Sequence, residues 1–289
     1  MSLRVAWLQD MDPFSNAGGA QQTDREHIIY GIRQGHDIEV ITPNSPAFSL
    51  NNSDITIVSN AANFSLDTLN KLDQPYVMFL HDYWGLCKWR LYYPQQEKCK
   101  TCYLKDRFLD LHQNSNLMIW LSPLHRDSWM FTYPELESHE YSLIPSAINL
   151  DTFYGTDISP TKQILCVHGG MSFKGINRIR EWGEEHPEKQ IDIIGNIEGD
   201  LPSNFNPIDS IPPNQMGALY RDYESFLHLP TTPQPFERTI AEAYLSGCKI
   251  IGNENIGALS YDWFNNRTKV RQELQKASSM FWQEIEALV

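Results

Sequence analysis

The first half of the chain alternates short apolar runs with longer amphipathic stretches. The apolar runs predict five buried strands, at residues 3–8, 38–42, 55–59, 76–80 and 117–122. A helix is predicted from Ala20 to Gln34, because Gly35 follows it as a stop signal. Strands separated by helical stretches are typical of a parallel, doubly wound sheet.

The same alternation restarts after a polar, proline-containing segment around residues 150–162, which we interpret as a linker. Strands are predicted at residues 164–168, 191–195, 225–229 and 249–253, and helices at residues 175–186, 216–223 and 237–247. The tail, residues 268–289, contains neither proline nor glycine and predicts one long helix.

These patterns predict an α/β protein with two Rossmann-like domains facing a central cleft. We place the N-terminal domain at residues 1–155, the C-terminal domain at 156–266 and a C-terminal helix at 267–289. Loops that leave the carboxyl ends of the strands would line the cleft, where open sheets of this kind bind ligands.

Composition narrows the classes of function. The chain has 289 residues, of which 41% are hydrophobic, and this is enough for two domains. Its formal net charge of −13 argues against nonspecific binding to nucleic-acid phosphates. No apolar run approaches the roughly 18 residues of a membrane span, and the first residues do not resemble a signal peptide. We therefore expect a cytoplasmic protein, and the odd number of cysteines, five, fits a reducing compartment.

The stretch from Thr231 to Asn253 joins two predicted strands through a proline-containing loop and a helix. The loop follows the end of a strand, so the N-terminus of the helix would attract a phosphate group. Thr239 and Glu242 have the spacing of a capping box. Spacing alone favours that interpretation over a carboxylate that binds ligand.

Residues 233–260, PQPFERTIAEAYLSGCKIIGNENIGALS, resemble the donor-site signature of family 4 glycosyltransferases, which have the GT-B fold. Gln234 stands where that signature has its first glutamate, and Glu242 stands at the second. Glu237 replaces the usual glycine. The chain is short for two full domains, so the resemblance implies a compact version of the fold.

Four further segments are similar to the same family, in the same order. They are the double-glycine opening at residues 18–42, LHDYWGLC at 80–87, SLIPSAINLDTF at 142–153 and VHGGMSFKGINRI at 167–179. Together the five segments extend the resemblance over most of the chain.

The resemblance implies roles for individual residues. Lys174 would pair with the donor's diphosphate, and Glu242 would accept hydrogen bonds from the ribose. His81 would contact the transferred sugar. The other implied donor-site residues are Gly18, Gly19, Gly170, Gly195, Asn196, Gln234, Phe236, Glu237, Arg238 and Thr239. Of the whole set, His81, Lys174 and Gln234 would take part in catalysis.

The function implied is a hexosyltransferase-like glycosyltransferase. It would move a sugar from UDP- or GDP-sugar to a hydroxyl of a glycan, a lipid or a small molecule. Transfer would retain the anomeric configuration. Lys174 and a helix N-terminus can meet the charge of the leaving diphosphate, so no metal or other cofactor would be required.

Two substitutions depart from the family pattern. Gly169 occupies the position of an expected arginine, for which Arg178, Arg180 or Arg238 could compensate. Gln234 retains hydrogen bonding but lacks the expected charge. Both favour an alternative, a sugar-nucleotide-binding protein that is weak or inert in catalysis. A second alternative, transfer to modified DNA bases, is disfavoured by the acidic charge.

Cys87, Cys99 and Cys102 form a cluster whose last two members have a zinc-chelating spacing. Three thiolates would need a fourth ligand, for which His81, His112 and Asp106 are candidates. A single such pair is a weak signal, and a reduced, metal-free cluster is favoured over a structural zinc.

Residues 88–107 hold six basic side chains against two acidic ones, interleaved with aromatic residues. The segment is either a solvated loop or a patch for anionic lipid headgroups or phosphorylated glycans, which would allow peripheral membrane contact. Asp10 and Asp12 fit a D-x-D motif, but a loop role near the acceptor is favoured over metal binding. His125, His139 and His186 are expected at the surface.

Overall fold

The computed structural model describes residues 2–15, 18–45, 52–72, 75–87, 90–92, 108–156, 159–169, 171–195, 197 and 199–289. These residues form two compact units. The N-terminal unit comprises Met1–Ala147 with Leu274–Val289, and the C-terminal unit comprises Ile148–Glu273. The first boundary precedes the expected one at residue 155. The second falls inside the tail helix rather than before it.

The N-terminal unit is built on a parallel sheet. Its strands are β1 (Arg4–Leu8), β2 (Asp37–Ile41), β3 (Ile55–Ser59), β4 (Tyr76–Leu80), β5 (Leu117–Trp120) and β6 (Tyr141–Leu143). Among the described residues the order is β2-β1-β3-β4-β5-β6, and every pairing is parallel. All residues of β3, β4 and β5 are buried, as is typical of strands covered on both faces.

Helices flank this sheet. They are α1 (Gly19–Gln34), α2 (Leu66–Leu69), α3 (Leu109–Gln113) and α4 (Pro123–Thr132). The tail helix (Arg267–Glu286) adds its C-terminal part to the same unit. There the Phe281 ring stacks on the His27 ring at 4.5 Å, and the Trp282 indole donates a hydrogen bond to the His27 carbonyl at 2.8 Å. The long tail helix predicted from sequence is thus bound to α1 by aromatic packing.

The C-terminal unit has a second parallel sheet. Its strands are β7 (Lys162–Val167), β8 (Ile191–Ile194), β9 (Phe205–Ile208), β10 (Tyr223–Leu227) and β11 (Lys249–Ile251). The described strands lie in the order β11-β10-β7-β8-β9. The longer helices of this unit are α5 (Ile176–Glu185), α6 (Met216–Arg221) and α7 (Arg238–Leu245).

Each sheet has a point where the strand order reverses. In the N-terminal unit β1 lies between β2 and β3, and in the C-terminal unit β7 lies between β8 and β10. Ligands of doubly wound sheets bind beyond the carboxyl ends of the strands at such a point. We therefore expect ligand-binding residues to follow β1, β3 and β4 in the N-terminal unit, and β7, β8 and β10 in the C-terminal unit.

The α/β class with two parallel-sheet units, predicted from the pattern of apolar runs, is confirmed. The pattern missed β6, β9, α2, α3 and α4. Strand β6 is a three-residue edge strand, and β9 carries Pro207 and two exposed residues, so neither forms an apolar run. Helix α4 has recognisable start signals, because the Ser122 hydroxyl accepts a hydrogen bond from the His125 N–H and Pro123 begins the first turn.

Candidate functional site

The loop from β10 to α7 is anchored by backbone hydrogen bonds. The Gln234 N–H donates to the Asn255 carbonyl at 2.7 Å, and the Gly257 N–H donates to the Gln234 carbonyl at 3.0 Å. The Ala258 N–H donates to the Phe236 carbonyl at 2.8 Å, and the Phe236 side chain is buried. These contacts hold the backbone at the start of α7 in one conformation, which is a requirement for binding by main-chain N–H groups.

Lys174 is brought to the same loop by a tight turn. It ends a single 3₁₀ turn, Ser172–Lys174, and Gly175 follows with a left-handed φ of 85°. A side chain on Gly175 would collide with the backbone carbonyl of Leu229, just beyond β10. The Thr231 N–H also donates to the Phe173 carbonyl at 3.0 Å. Close backbone contact therefore fixes Lys174 beside the loop after β10.

The Lys174 ammonium forms an ion pair with the Glu237 carboxylate. His228 Nε2 lies 3.3 Å from Oε2 of the same carboxylate, and the Thr239 hydroxyl donates to Oε1 at 2.9 Å. Burial by itself would raise the pKa of Glu237, but the charges and hydrogen bonds of Lys174 and His228 outweigh burial and hold the pKa well below its usual range. The N-terminus of α7 thus carries a buried carboxylate that is paired with the Lys174 ammonium and lies beside an imidazole.

The capping-box prediction for Thr239 and Glu242 is wrong. Glu237 adopts a left-handed backbone, with φ 69° and ψ 80°, so α7 begins at Arg238 and Thr239 lies inside the helix. Glu242 pairs with a side chain of the first helical turn instead of forming a capping box with Thr239. Its Oε1 lies 3.3 Å from Arg238 Nη2, one turn earlier, in a pair that is less than one-tenth exposed on both sides. Burial raises the pKa of Glu242, and Arg238 offsets part of that rise.

Gln234 lies in the loop after β10, and Gly195 directly follows β8. The Gln234 side-chain amide donates to the Thr232 carbonyl at 2.9 Å, so its N–H groups support the loop itself. Gly195 follows β8 with a φ of 130°, and a side chain there would collide with the His168 carbonyl at the end of β7. Gly170 and Asn196 lie outside the described residues.

The structure shows where the three arginines proposed to compensate for Gly169 direct their side chains. Arg178 donates to the Pro230 carbonyl at 3.1 Å, beyond the carboxyl end of β10. Arg180 donates to Asn177 at 3.2 Å on its own helix. Arg238 pairs with Glu242. Of the three, Arg178 bonds to the loop after β10, beside which the Lys174 turn lies.

In the N-terminal unit, Asp24 of α1 joins the carboxyl ends of three strands. Its side chain is fully buried, and Oδ2 accepts hydrogen bonds from the Ser59 hydroxyl at 2.7 Å, the Trp7 indole at 3.2 Å and the Gln9 amide. Oδ1 lies 2.7 Å from His81 Nε2. His81 Nδ1 is buried and has no hydrogen-bond partner among the described residues. Asp24 therefore orients the ring of the residue predicted to contact the sugar.

Sequence reasoning missed Asp24 and His228. Asp24 lies on the buried face of α1, three residues after Gln21 and four before Ile28, both of which are buried. The signal for His228 was a polar residue directly after an apolar strand. A buried charged or polar side chain needs hydrogen-bonding partners, because burying it without them is costly.

Gly18 and Gly19 begin α1, beyond the end of β1. Gly18 is the N-cap residue with an extended backbone, and as a glycine it has no side chain with which to cap the helix. The N–H groups of the first turn therefore have no capping side chain of α1 itself, as required if this backbone is to contact a ligand. Residues 16–17, which precede the helix, lie outside the described residues.

A second polar group follows β1 and β4. Arg90 forms ion pairs with Asp10 and, at 3.7 Å, with Asp82. Burial raises the pKa of Asp82 to about 6, although Arg90 and the Trp84 N–H lower it. Burial also raises the pKa of Asp10, which the Asn63 N–H and Arg90 partly offset. Asp12 instead accepts hydrogen bonds from the Phe14 N–H and the Ser15 hydroxyl, which makes it a turn-forming residue.

The raised pKa of Asp82 predicts a pH-dependent effect of Asp82→Asn. A carboxyl whose pKa rises from 3.8 to about 6 on folding stabilises the fold fully below pH 3.8, and this stabilisation is lost as the pH rises through about 6. Asparagine resembles the protonated acid. We expect the free energy of unfolding of the variant to exceed that of the wild type by about 1 kcal/mol near pH 8, after allowance for the partly exposed side chain. The variant should therefore unfold at a higher urea concentration.

The gain should disappear as the pH approaches about 4, where Asp82 is protonated in the folded protein. Urea unfolding of wild type and variant at several pH values measures it. Asp37→Asn, at an exposed position of β2, is the control and should show no such trend. A gain that grew toward acid pH would contradict the prediction.

The predicted cysteine cluster falls largely outside the described residues. Cys87 is a half-buried free cysteine, whereas Cys99 and Cys102 are not described. Within the described ranges, no three His, Cys, Asp or Glu side chains are grouped so that they could hold a metal. Of the basic segment 88–107, only residues 90–92 are described. Among all the described residues of the chain, no helix is long and apolar enough to cross a membrane.

The surface position expected for His125 is wrong. The residue is fully buried in α4, where Nε2 lies 3.2 Å from the Asp82 carbonyl and accepts from the Trp129 indole at 3.1 Å. Burial lowers the pKa of His125 to about 3, so the ring is neutral at physiological pH. His139 and His186 are half-buried. One partner, Trp129, lies one turn later on the same helix, whereas the Asp82 carbonyl is brought to His125 by the fold.

No family model matches the sequence, and no curated protein matches it. Solved structures match its fold. HepE of Anabaena in complex with UDP and glucose has a TM-score of 0.62 and 13% identity, over 96% of this chain and 92% of that chain. A glycosyltransferase from Rickettsia africae ESF-5 has a TM-score of 0.64 and 14% identity, over 97% and 89% of the two chains.

A third match is an α-glucosyltransferase in complex with UDP and a 13-mer DNA containing an HMU base. Its TM-score is 0.59 at 12% identity, over 96% of this chain and 91% of that chain. This chain has the GT-B fold of these glycosyltransferases. The fold predicted from the sequence is therefore confirmed, while membership of family 4 and the central cleft stay predictions.

Proposed function

We propose that this protein is a glycosyltransferase that takes its sugar from a nucleotide-sugar. The observation that carries the proposal is the position of Lys174, beside the N-terminus of α7 and the carboxyl end of β10. An ammonium and the first N–H groups of a helix are the features that bind a diphosphate and stabilise it as a leaving group. The GT-B fold supports this assignment independently of the side chains.

In this proposal Lys174 neutralises the diphosphate, and the Arg238–Glu242 pair presents a carboxylate to the ribose. His81, oriented by Asp24, binds the transferred sugar. Gln234 supports the loop between β10 and α7, which holds the donor. The remaining proposed donor-site residues are Gly18, Gly19, Gly170, Gly195, Asn196, Phe236, Glu237 and Thr239.

We propose UDP-sugars as the first donors to examine, because HepE and the α-glucosyltransferase were solved with UDP. GDP-sugars are the alternative. Lys174 and α7 can meet the charge that develops on the diphosphate, so the proposal includes no metal. Retention of the anomeric configuration is proposed from the resemblance to family 4.

The proposed acceptor is a hydroxyl of a glycan, a lipid or a small molecule, in a cytoplasmic setting. The net charge of −13 disfavours DNA as acceptor, although one protein of this fold was solved with DNA. A gel shift at low salt with duplex DNA tests this point directly. Peripheral membrane contact through residues 88–107 also stays a proposal. Comparing the binding of the wild type and of the Lys98/Lys100/Lys105→Glu variant to anionic vesicles would test it.

A thermal-shift panel of UDP- and GDP-sugars tests the proposed function. At least one donor is expected to raise the unfolding temperature by several degrees, since ligand at about 100 times its Kd adds about 2.7 kcal/mol to stability. Lys174→Met should lose most of that shift, and Lys189→Met, an exposed lysine of the same unit, should retain it. A flat response of the wild type to the whole panel would refute the proposal.

The alternative is a protein that binds nucleotide-sugars without turnover. Gly169 supports it, because no cation stands at that position, and so does Gln234, whose amide is used within its own loop. Chromatography of nucleoside diphosphate released from a bound donor separates the two. Binding without transfer or donor hydrolysis would favour the alternative.

A further inference from the structure

Glu237 is held in a backbone conformation that suits glycine. Its φ is 69°, and among the described residues of the C-terminal unit it is the only residue other than glycine with a positive φ. A side chain in this region is strained, because its Cβ approaches the neighbouring backbone. The conformation persists only where contacts of the side chain or its surroundings enforce it, so those contacts indicate what the residue does.

The contacts are electrostatic and buried. The Glu237 side chain is 9% exposed and bonds to the Lys174 ammonium, while His228 Nε2 lies 3.3 Å away. Lys174 is 20% exposed and His228 is 1% exposed. His228 Nδ1 is buried without a hydrogen-bond partner among the described residues. Glu237 is thus the counter-ion of a lysine and the neighbour of an imidazole that have little access to water.

This carboxylate lies at the start of α7, a helix of eight residues. If this carboxylate were absent, no negative charge would balance the poorly solvated Lys174 ammonium. The His228 imidazole and the first N–H groups of the helix would also lack a neighbouring negative charge. Burying an ammonium without a counter-ion costs free energy. An anion from solution would then be attracted to the same place. Glu237 therefore occupies, from within the protein, the position that an external anion would take.

We propose that Glu237 determines donor affinity as a displaceable counter-ion, which competes with the donor's diphosphate for Lys174. The identity of the ligand as a diphosphate rests on the proposed function. Two negative groups cannot both lie against one ammonium without repulsion, so the carboxylate turns away when the diphosphate binds. When the diphosphate product leaves, the carboxylate returns, which weakens product binding and speeds release.

Isothermal titration calorimetry with UDP and with inorganic pyrophosphate tests the proposal. Glu237→Gln is expected to bind both at least tenfold more tightly than the wild type. The double variant Glu237→Gln/Lys174→Met should lose this gain. Glu224→Gln, at an exposed position of β10, is the matched control and should bind as the wild type does.

Glu237→Gly provides a second variant in case glutamine disturbs folding, since glycine adopts the left-handed backbone without strain. It should show the same gain in affinity. Equal or weaker binding of UDP and pyrophosphate by both folded variants would overturn the proposal, and so would a gain that persists without Lys174.

The outcomes separate this inference from the proposed function. If Glu237→Gln gains affinity for pyrophosphate through Lys174 but no nucleotide-sugar binds or reacts, the counter-ion inference holds and the glycosyltransferase proposal fails. If the wild type transfers sugar and both Glu237 variants show no gain, the function holds and the counter-ion inference fails.

Discussion

Replacing Lys174 by methionine is expected to reduce the rate of sugar transfer about 100- to 1,000-fold. Loss of one preorganised group that stabilises developing charge costs catalysis by that factor. Here the group is an ammonium beside the N-terminus of α7, held there by the turn that ends at Gly175. The rate of release of nucleoside diphosphate from a donor found in the thermal-shift panel measures the effect.

Two variants show whether the loss is one of charge. Lys174→Arg keeps the positive charge and should retain more activity than Lys174→Met, although the guanidinium has a different shape. Lys174→Met also leaves Glu237 buried without its partner, so Lys174→Met/Glu237→Gln removes both charges together. If Lys174→Met, still folded by circular dichroism, keeps more than about one-third of the wild-type rate, Lys174 does not act on the leaving group.

Asp24→Ala is expected to destabilise the N-terminal unit by about 3–5 kcal/mol, the usual effect of removing one member of a buried polar network. The Asp24 carboxyl accepts hydrogen bonds from Trp7, Gln9 and Ser59, and it bonds to His81. Alanine would leave these groups buried without a partner.

Urea unfolding monitored by tryptophan fluorescence measures this loss. Asp37→Ala, which removes an exposed carboxylate from β2 in the same unit, should change stability by less than about 0.5 kcal/mol. A loss below about 1 kcal/mol for Asp24→Ala would mean that the network is dispensable for folding. In that case the orientation of His81 must come from packing alone.

Lys174 was predicted through the resemblance of one short segment, residues 167–179, and its role in binding stays a prediction. In the structure it ends a tight turn before Gly175. Thr239 and Glu242 have the spacing of a capping box, but the left-handed backbone at Glu237 moves the helix start to Arg238. The Glu237 side chain pairs with Lys174, which lies 63 residues away in sequence, and no local pattern reports that contact.

The order of apolar runs by itself determined the α/β class, the two sheets and the strand ends that carry polar residues. Strands and helices reveal themselves in this way because their hydrophobic periodicity is local and their burial is extensive. Only the tertiary structure decided which polar residues meet, namely Asp24 with His81, and Glu237 with Lys174 and His228. It also decided that the tail helix packs against α1. Such contacts join residues far apart in sequence, and their energies depend on burial and distance, which exist only once the chain has folded.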